Sequence, residues 1–126
     1  MSFIILNPNP INNLTGDCVI RAISIAENKS WDDVFIELMV ESFQLKDIPS
    51  SNYAWGSYLH KIGYRRNVIP NTCPDCYTIK DFVKDYPQGT YIVGTGTHVV
   101  AVREGTYYDT WDSGNEIPIY YWKKED

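Results

Sequence analysis

Apolar residues in the first half of the chain recur at helical spacing. Val19, Ala22, Ile23 and Ala26 follow Thr15, and this predicts a first helix with Thr15 as N-cap and one buried stripe. Ser30 opens a second helix, with Asp33 three residues on as an approximate capping box. Val34, Phe35, Leu38 and Met39 form its apolar face. A third helix is expected over about 52–62, stopped by Gly63. Residues 64–69 read as a short strand. Thr78 and Asp81 start a fourth helix carrying Phe82 and Val83, and the Pro-Gln-Gly step at 87–89 ends it.

Past Gly89 the period changes. TYIVGT (90–95), HVVAV (98–102), TYYDTW (106–111) and IPIYYW (117–122) are β-branched and aromatic runs divided by turns. Helices first and strands afterwards is an α+β order. The expected architecture is a single domain, residues 1–126, with N-terminal helices packed on a C-terminal twisted antiparallel sheet. NPNPINN (7–13) reads as an extended, turn-rich lead-in, since proline forbids helix at itself and discourages it one residue earlier.

The 126 residues suffice for one domain with a core of its own. A net charge of -5 argues against a protein that grips nucleic acid by its phosphates. No apolar run approaches a membrane span, and MSFIILNPNP lacks the basic leader of a signal peptide. With only three cysteines, the expectation is reduced thiols in a cytoplasmic protein, or in one made inside a cell by a virus. Ten Tyr and four Trp are many for this length, and aromatics line clefts as well as cores.

TGDCVIRAISIA (15–26) places a thiol near a helix start. Cys18 there is either a small hydrophobe in the core or a nucleophile whose ionisation the helix N-terminus favours. A nucleophile needs a base and an orienter for that base. His60 falls inside the third helix and reads as a surface or packing residue. His98 opens the strand HVVAV beside the small residues GTGT (94–97), an open approach for a reactant. If Glu104 and Gly105 form a two-residue turn, Arg103 faces Thr106, Val100 faces Asp109 and His98 faces Trp111. Asp109 is then the diagonal neighbour of His98, roughly 7–8 Å away at the backbone. A three-residue loop would shift the register and bring Asp112 there instead. Both acids stay open. Asp17, next to the thiol, either opposes its ionisation or caps the helix.

A Cys at a helix start, a His opening a strand and an acid or amide on the next strand follow the order of papain-like cysteine peptidases. DTW (109–111) resembles their Asn-Ser-Trp step, with Asp109 in place of Asn. NPNP (7–10), GDCVIRAIS (16–24), KSWDDV (29–34), GTYIV (89–93), HVVAV (98–102) and YDTWDS (108–113) together resemble small phage and bacterial papain-like, peptidase-related proteins. The resemblance implies a papain-like fold and a Cys18-His98-Asp109 triad acting on a peptide or amide, without a cofactor. It also implies an oxyanion hole made by the Cys18 backbone amide and a side-chain amide. Asn12, six residues before Cys18, matches the offset of the family's Gln. Asn9 and Asn13 are also available, although each Asn taken alone reads more readily as a turn former.

CPDC (73–76) supplies half of a structural zinc site but lacks two free partners, so no metal is expected. Two free thiols in a turn, or a labile disulfide, is the reading. Three functions compete. The first is a thiol hydrolase with a protein or peptide substrate. The second is a catalytically silent module that binds a host protein through its aromatic surface. The third is a transglutaminase, deamidase or acyltransferase using the same triad. None involves nucleic acid or membrane.

Overall fold

A computed structural model describes residues 2–125. The elements run β1 (Ser2–Ile5), α1 (Cys18–Glu27), α2 (Trp31–Leu45), α3 (Asn52–Lys61), β2 (Tyr64–Val68), α4 (Ile79–Asp85), β3 (Thr90–Gly94), β4 (Val99–Arg103), β5 (Thr106–Asp109) and β6 (Tyr120–Lys124). The class is α+β, with a six-stranded sheet in the order β1-β5-β4-β3-β6-β2.

The sheet is mixed, which corrects the all-antiparallel expectation. β1 pairs with β5 in parallel, Ser2 opposite Thr106 and Ile5 opposite Asp109, while every other neighbour is antiparallel. Four residues ahead of a proline-rich lead-in carry no periodicity of their own. Their strand character comes from the edge of β5.

Alternation along β3 and β4 divides the interior into two layers. Ile92, Val99 and Ala101 face α1–α3 in a core shared with Ile23, Leu38, Leu59 and Tyr64. Tyr91, Val93, Val100 and Val102 face the other way, onto Ile79, Phe82 and Val83 of α4. α4 begins with a true capping box, Thr78 and Asp81 each holding the other's backbone N–H.

Two helix starts differ from expectation. α1 begins at Cys18 itself, and Asp17 rather than Thr15 is the N-cap, with no side-chain capping bond. On α2, Ser30 caps Asp33 as expected, but the buried face runs through Val34, Leu38, Glu41 and Ser42. Met39 and Phe35 are open to solvent. Glu41 is drawn inward by Ser57 and Lys61 of α3, at 2.6 and 2.8 Å, so that polar contacts set the last turns of this interface.

The hairpin between β4 and β5 has the two-residue turn, with Arg103 opposite Thr106. Glu104 and Gly105 both take positive φ, as a tight hairpin turn requires. Cys73 and Cys76 are joined by a disulfide, so of the two readings of this pair the disulfide holds and the free thiols do not. Cys18 is the free cysteine.

Candidate active site

Cys18 sits at the first position of α1, where backbone N–H groups lack intrahelical acceptors and the helix dipole favours negative charge. It is half-buried and packs against the sheet. His98 lies one residue before β4, where the sequence placed it in the strand. Its carbonyl accepts from the Thr95 amide at 2.8 Å, closing a turn in which Gly96 takes a φ of 101°. This turn holds the imidazole at the mouth of the strand.

The register delivers Asp109 rather than Asp112. His98 Nε2 lies 2.6 Å from Asp109 Oδ2, in a pair that is 13% and 3% exposed at the side chains. Nδ1 is left for Cys18. Asp112 turns away to accept from the Tyr107 hydroxyl at 2.6 Å and the Gly114 amide at 3.0 Å. The ring of Trp111 covers His98 at 5.2 Å between centroids.

Asp109 is anchored on every side. Its Oδ2 also accepts from the fully buried Ser113 hydroxyl at 2.7 Å, and its Oδ1 accepts from the Thr110 amide at 2.8 Å. Arg21 reaches the same carboxylate at 3.8 Å and forms a buried ion pair with Asp17. Asp17 in turn accepts from the Trp31 indole at 2.9 Å. The Asp17 side chain therefore neither caps α1 nor faces the thiol as a free charge. A chain of contacts runs Trp31–Asp17–Arg21–Asp109–His98.

Those contacts determine the titration. Burial pushes the Cys18 thiol up. The His98 imidazole and the Val99 backbone amide favour the thiolate by hydrogen bonding, and the charges of His98 and Arg21 add to this. The outcome is a thiol below its ordinary value. Burial works against the His98 imidazolium, but Asp109 and Cys18 outweigh it and raise the ring to about 9. A lowered thiol facing a raised imidazole is the electrostatic pattern of a thiolate–imidazolium pair.

Cys18 and His98 share a cleft of about 220 Å³ walled by Gly16, Asn52, Trp55, Thr97 and Tyr120. Neither expected oxyanion asparagine lines it. Asn9 is buried, its amide 3.4 Å from Asp17 and its Oδ1 accepting from the Ile11 and Asn13 amides. Asn12 is exposed and turns the chain with a φ of 55°. His60 is exposed on α3, away from this cleft.

Asn52 is the side-chain amide in the cleft wall. The Trp55 indole, which can only donate, gives its hydrogen to Asn52 Oδ1 at 3.0 Å, leaving the Nδ2 hydrogens free. Arg21, Ser113 and Asn52 are the residues that sequence reasoning missed. The Asp17/Arg21 spacing of four was a legible signal for an ion pair along one helix face. Ser113 and Asn52 carried none.

Among the described residues, no group of three His, Cys, Asp or Glu is placed to hold a metal ion. No helix among the described residues is long and apolar enough to cross a membrane. Comparison with protein families, characterised proteins and solved structures finds no match for this chain. What fold and site define is an α+β protein with a Cys-His-Asp cluster where a helix N-terminus meets the end of a sheet.

Proposed function

We propose that the protein is a papain-like thiol hydrolase acting on a peptide or amide. The observation that carries this reading is the set Cys18, His98 and Asp109: a thiol below its ordinary value, an imidazole raised to about 9, and a carboxylate 2.6 Å from the ring. A cysteine serving only as packing needs neither of the other two.

The chemistry follows from the charges. Thiolate Sγ attacks the acyl carbon, and the carbonyl π pair moves onto oxygen. The Cys18 backbone N–H and Asn52 Nδ2 are the donors at hand for that oxyanion. As the tetrahedral species collapses, the C–N bond breaks and His98 gives its proton to the departing amine. Neutral His98 then takes a proton from water, whose oxygen attacks the thioester, and Cys18 leaves as thiolate. Asp109 keeps the ring aligned and favours its charged form. Replacing water by an amine or alcohol acceptor makes the same site a transferase.

Incubation with a p-nitrophenyl ester, followed by mass spectrometry of the intact chain, tests this directly. An acyl adduct on Cys18 that forms and then turns over, and that is lost in His98→Ala, is the expected result. No adduct, or one that forms equally fast in His98→Ala, contradicts it.

A second reading, a binding module with a silent site, is favoured by the outer face of α2. Ile36, Met39, Val40 and Phe43 recur there at helical spacing, and all are exposed. Ordinary reactivity of Cys18 would favour that reading.

A further inference from the structure

A second groove opens beside the cleft, between α3 and the edge of the sheet formed by β6 and β2. It encloses about 410 Å³, within the range of small-ligand pockets. Asn52 lines both the cleft and this groove. Arg66 ties them further, since its guanidinium lies 4.6 Å from the ring centre of Tyr120, a wall of the cleft. A chain bound across Cys18 could therefore continue into the groove without leaving the protein surface.

The groove is built from donors. His60, Lys61 and Arg66 line it, and no Asp or Glu does, on a protein whose net charge is -5. Lys61 is held at 2.8 Å by Glu41, whose other oxygen accepts from Ser57, so this cation is already balanced. Arg66 makes no ion pair with a described residue. Trp122 forms an aromatic part of the lining.

We propose that this groove is a subsite for an acidic side chain of the substrate, its carboxylate held by Arg66 with His60 beside it. The inference rests on the thiol-hydrolase reading only in making that ligand a substrate. The carboxylate chemistry follows from the groove itself. A planar guanidinium stacked on an aromatic ring is pre-oriented for a carboxylate and loses little side-chain freedom on binding it.

The test uses full-length Cys18→Ala protein and acetylated hexaalanine amides in which each position in turn is Glu, Gln or Lys. Binding is read by tryptophan fluorescence, because Trp55 and Trp122 line the two sites. At one position Glu is expected to bind about tenfold more tightly than Gln, with Lys weakest, and added salt should erode the difference. Arg66→Gln should abolish the preference and Arg66→Lys should restore part of it. Arg66 is exposed, and far-UV circular dichroism shows whether each variant keeps its fold. Indifference to charge at every position, absence of binding by the whole set, or a Glu preference that survives Arg66→Gln would overturn the subsite. Alkylation of wild-type Cys18, measured separately, tests the hydrolase reading. An activated Cys18 with no Glu preference removes the subsite alone.

Discussion

His98 Nε2 and Asp109 Oδ2 lie 2.6 Å apart across the β4–β5 hairpin, and both are shielded from solvent. Asp109→Asn keeps an acceptor for the ring and removes the charge, so the His98 pKa should fall from about 9 while the ring stays oriented. Asp109→Ala removes both and should cost roughly 10²-fold in acyl transfer. Asp112→Ala, which only releases Tyr107 and Gly114, should leave the rate within about threefold of wild type, well under one decade. Imidazole proton NMR across pH, alongside esterase rates, checks all three.

The pH profile of acyl transfer should be bell-shaped. Activity rises as pH climbs through the lowered Cys18 value and the thiolate forms. It falls as pH passes about 9, where His98 loses the proton the leaving group needs. A profile that climbs without a descending limb would show that the imidazolium plays no part.

In Cys18→Ala the Asp109 contact alone remains to hold His98 above its unfolded value of about 6.5. A raised folded-state value means that the stabilisation is complete below the unfolded pKa and is lost as pH rises through the folded one. Urea denaturation of this variant should therefore show stability declining upward from about pH 6.5. Adding Asp109→Asn should flatten that decline.

Arg21 is nearly buried between Asp17 and Asp109. Arg21→Met leaves the buried Asp17 carboxylate without its cation, while Asp109 keeps His98, and should cost about 3–5 kcal/mol. It should also raise the thiol pKa, because one source of positive charge near Cys18 is gone. Urea melts at pH 7 and thiol titration measure the two effects separately.

Gly94 sits opposite Tyr120 in the β3–β6 pair. A Cβ at Gly94 would overlap the Tyr120 ring, which also walls the cleft. Gly94→Ala should destabilise the fold by about 3 kcal/mol, as overpacking does. Gly16→Ala, where a Cβ meets open space, is the control.

Much of the site was readable because its geometry is local. The Glu104-Gly105 turn fixes the hairpin register, and the register alone selects Asp109 over Asp112. The period change at Gly89 likewise marks where helices give way to strands. What escaped depends on partners far away in sequence. β1 is a strand because β5 offers an edge, and Asp17 is held inward by Trp31, fourteen residues on. Asn52 reads as an ordinary helix-start residue, and only the folded chain sets it across the cleft from Cys18. Asn12 failed as an oxyanion donor for the converse reason: its offset from Cys18 fits, but a left-handed turn leaves it in solvent.

The central claim is that His98 holds Cys18 as a thiolate, and the thiol's own titration tests it most directly. With Cys73 and Cys76 in a disulfide, Cys18 is the one thiol open to reaction before reduction, so the signal is unmixed. The measurement is the rate of iodoacetamide alkylation from pH 4 to 10 for wild type and His98→Gln. The expected result is a wild-type thiol that titrates below the ordinary range of about 8.5, and a variant that returns to it or above, with alkylation at pH 7 at least about tenfold slower. Superimposable profiles for the two proteins, both with an ordinary thiol pKa, would show that Cys18 is packing and that the hydrolase account is wrong.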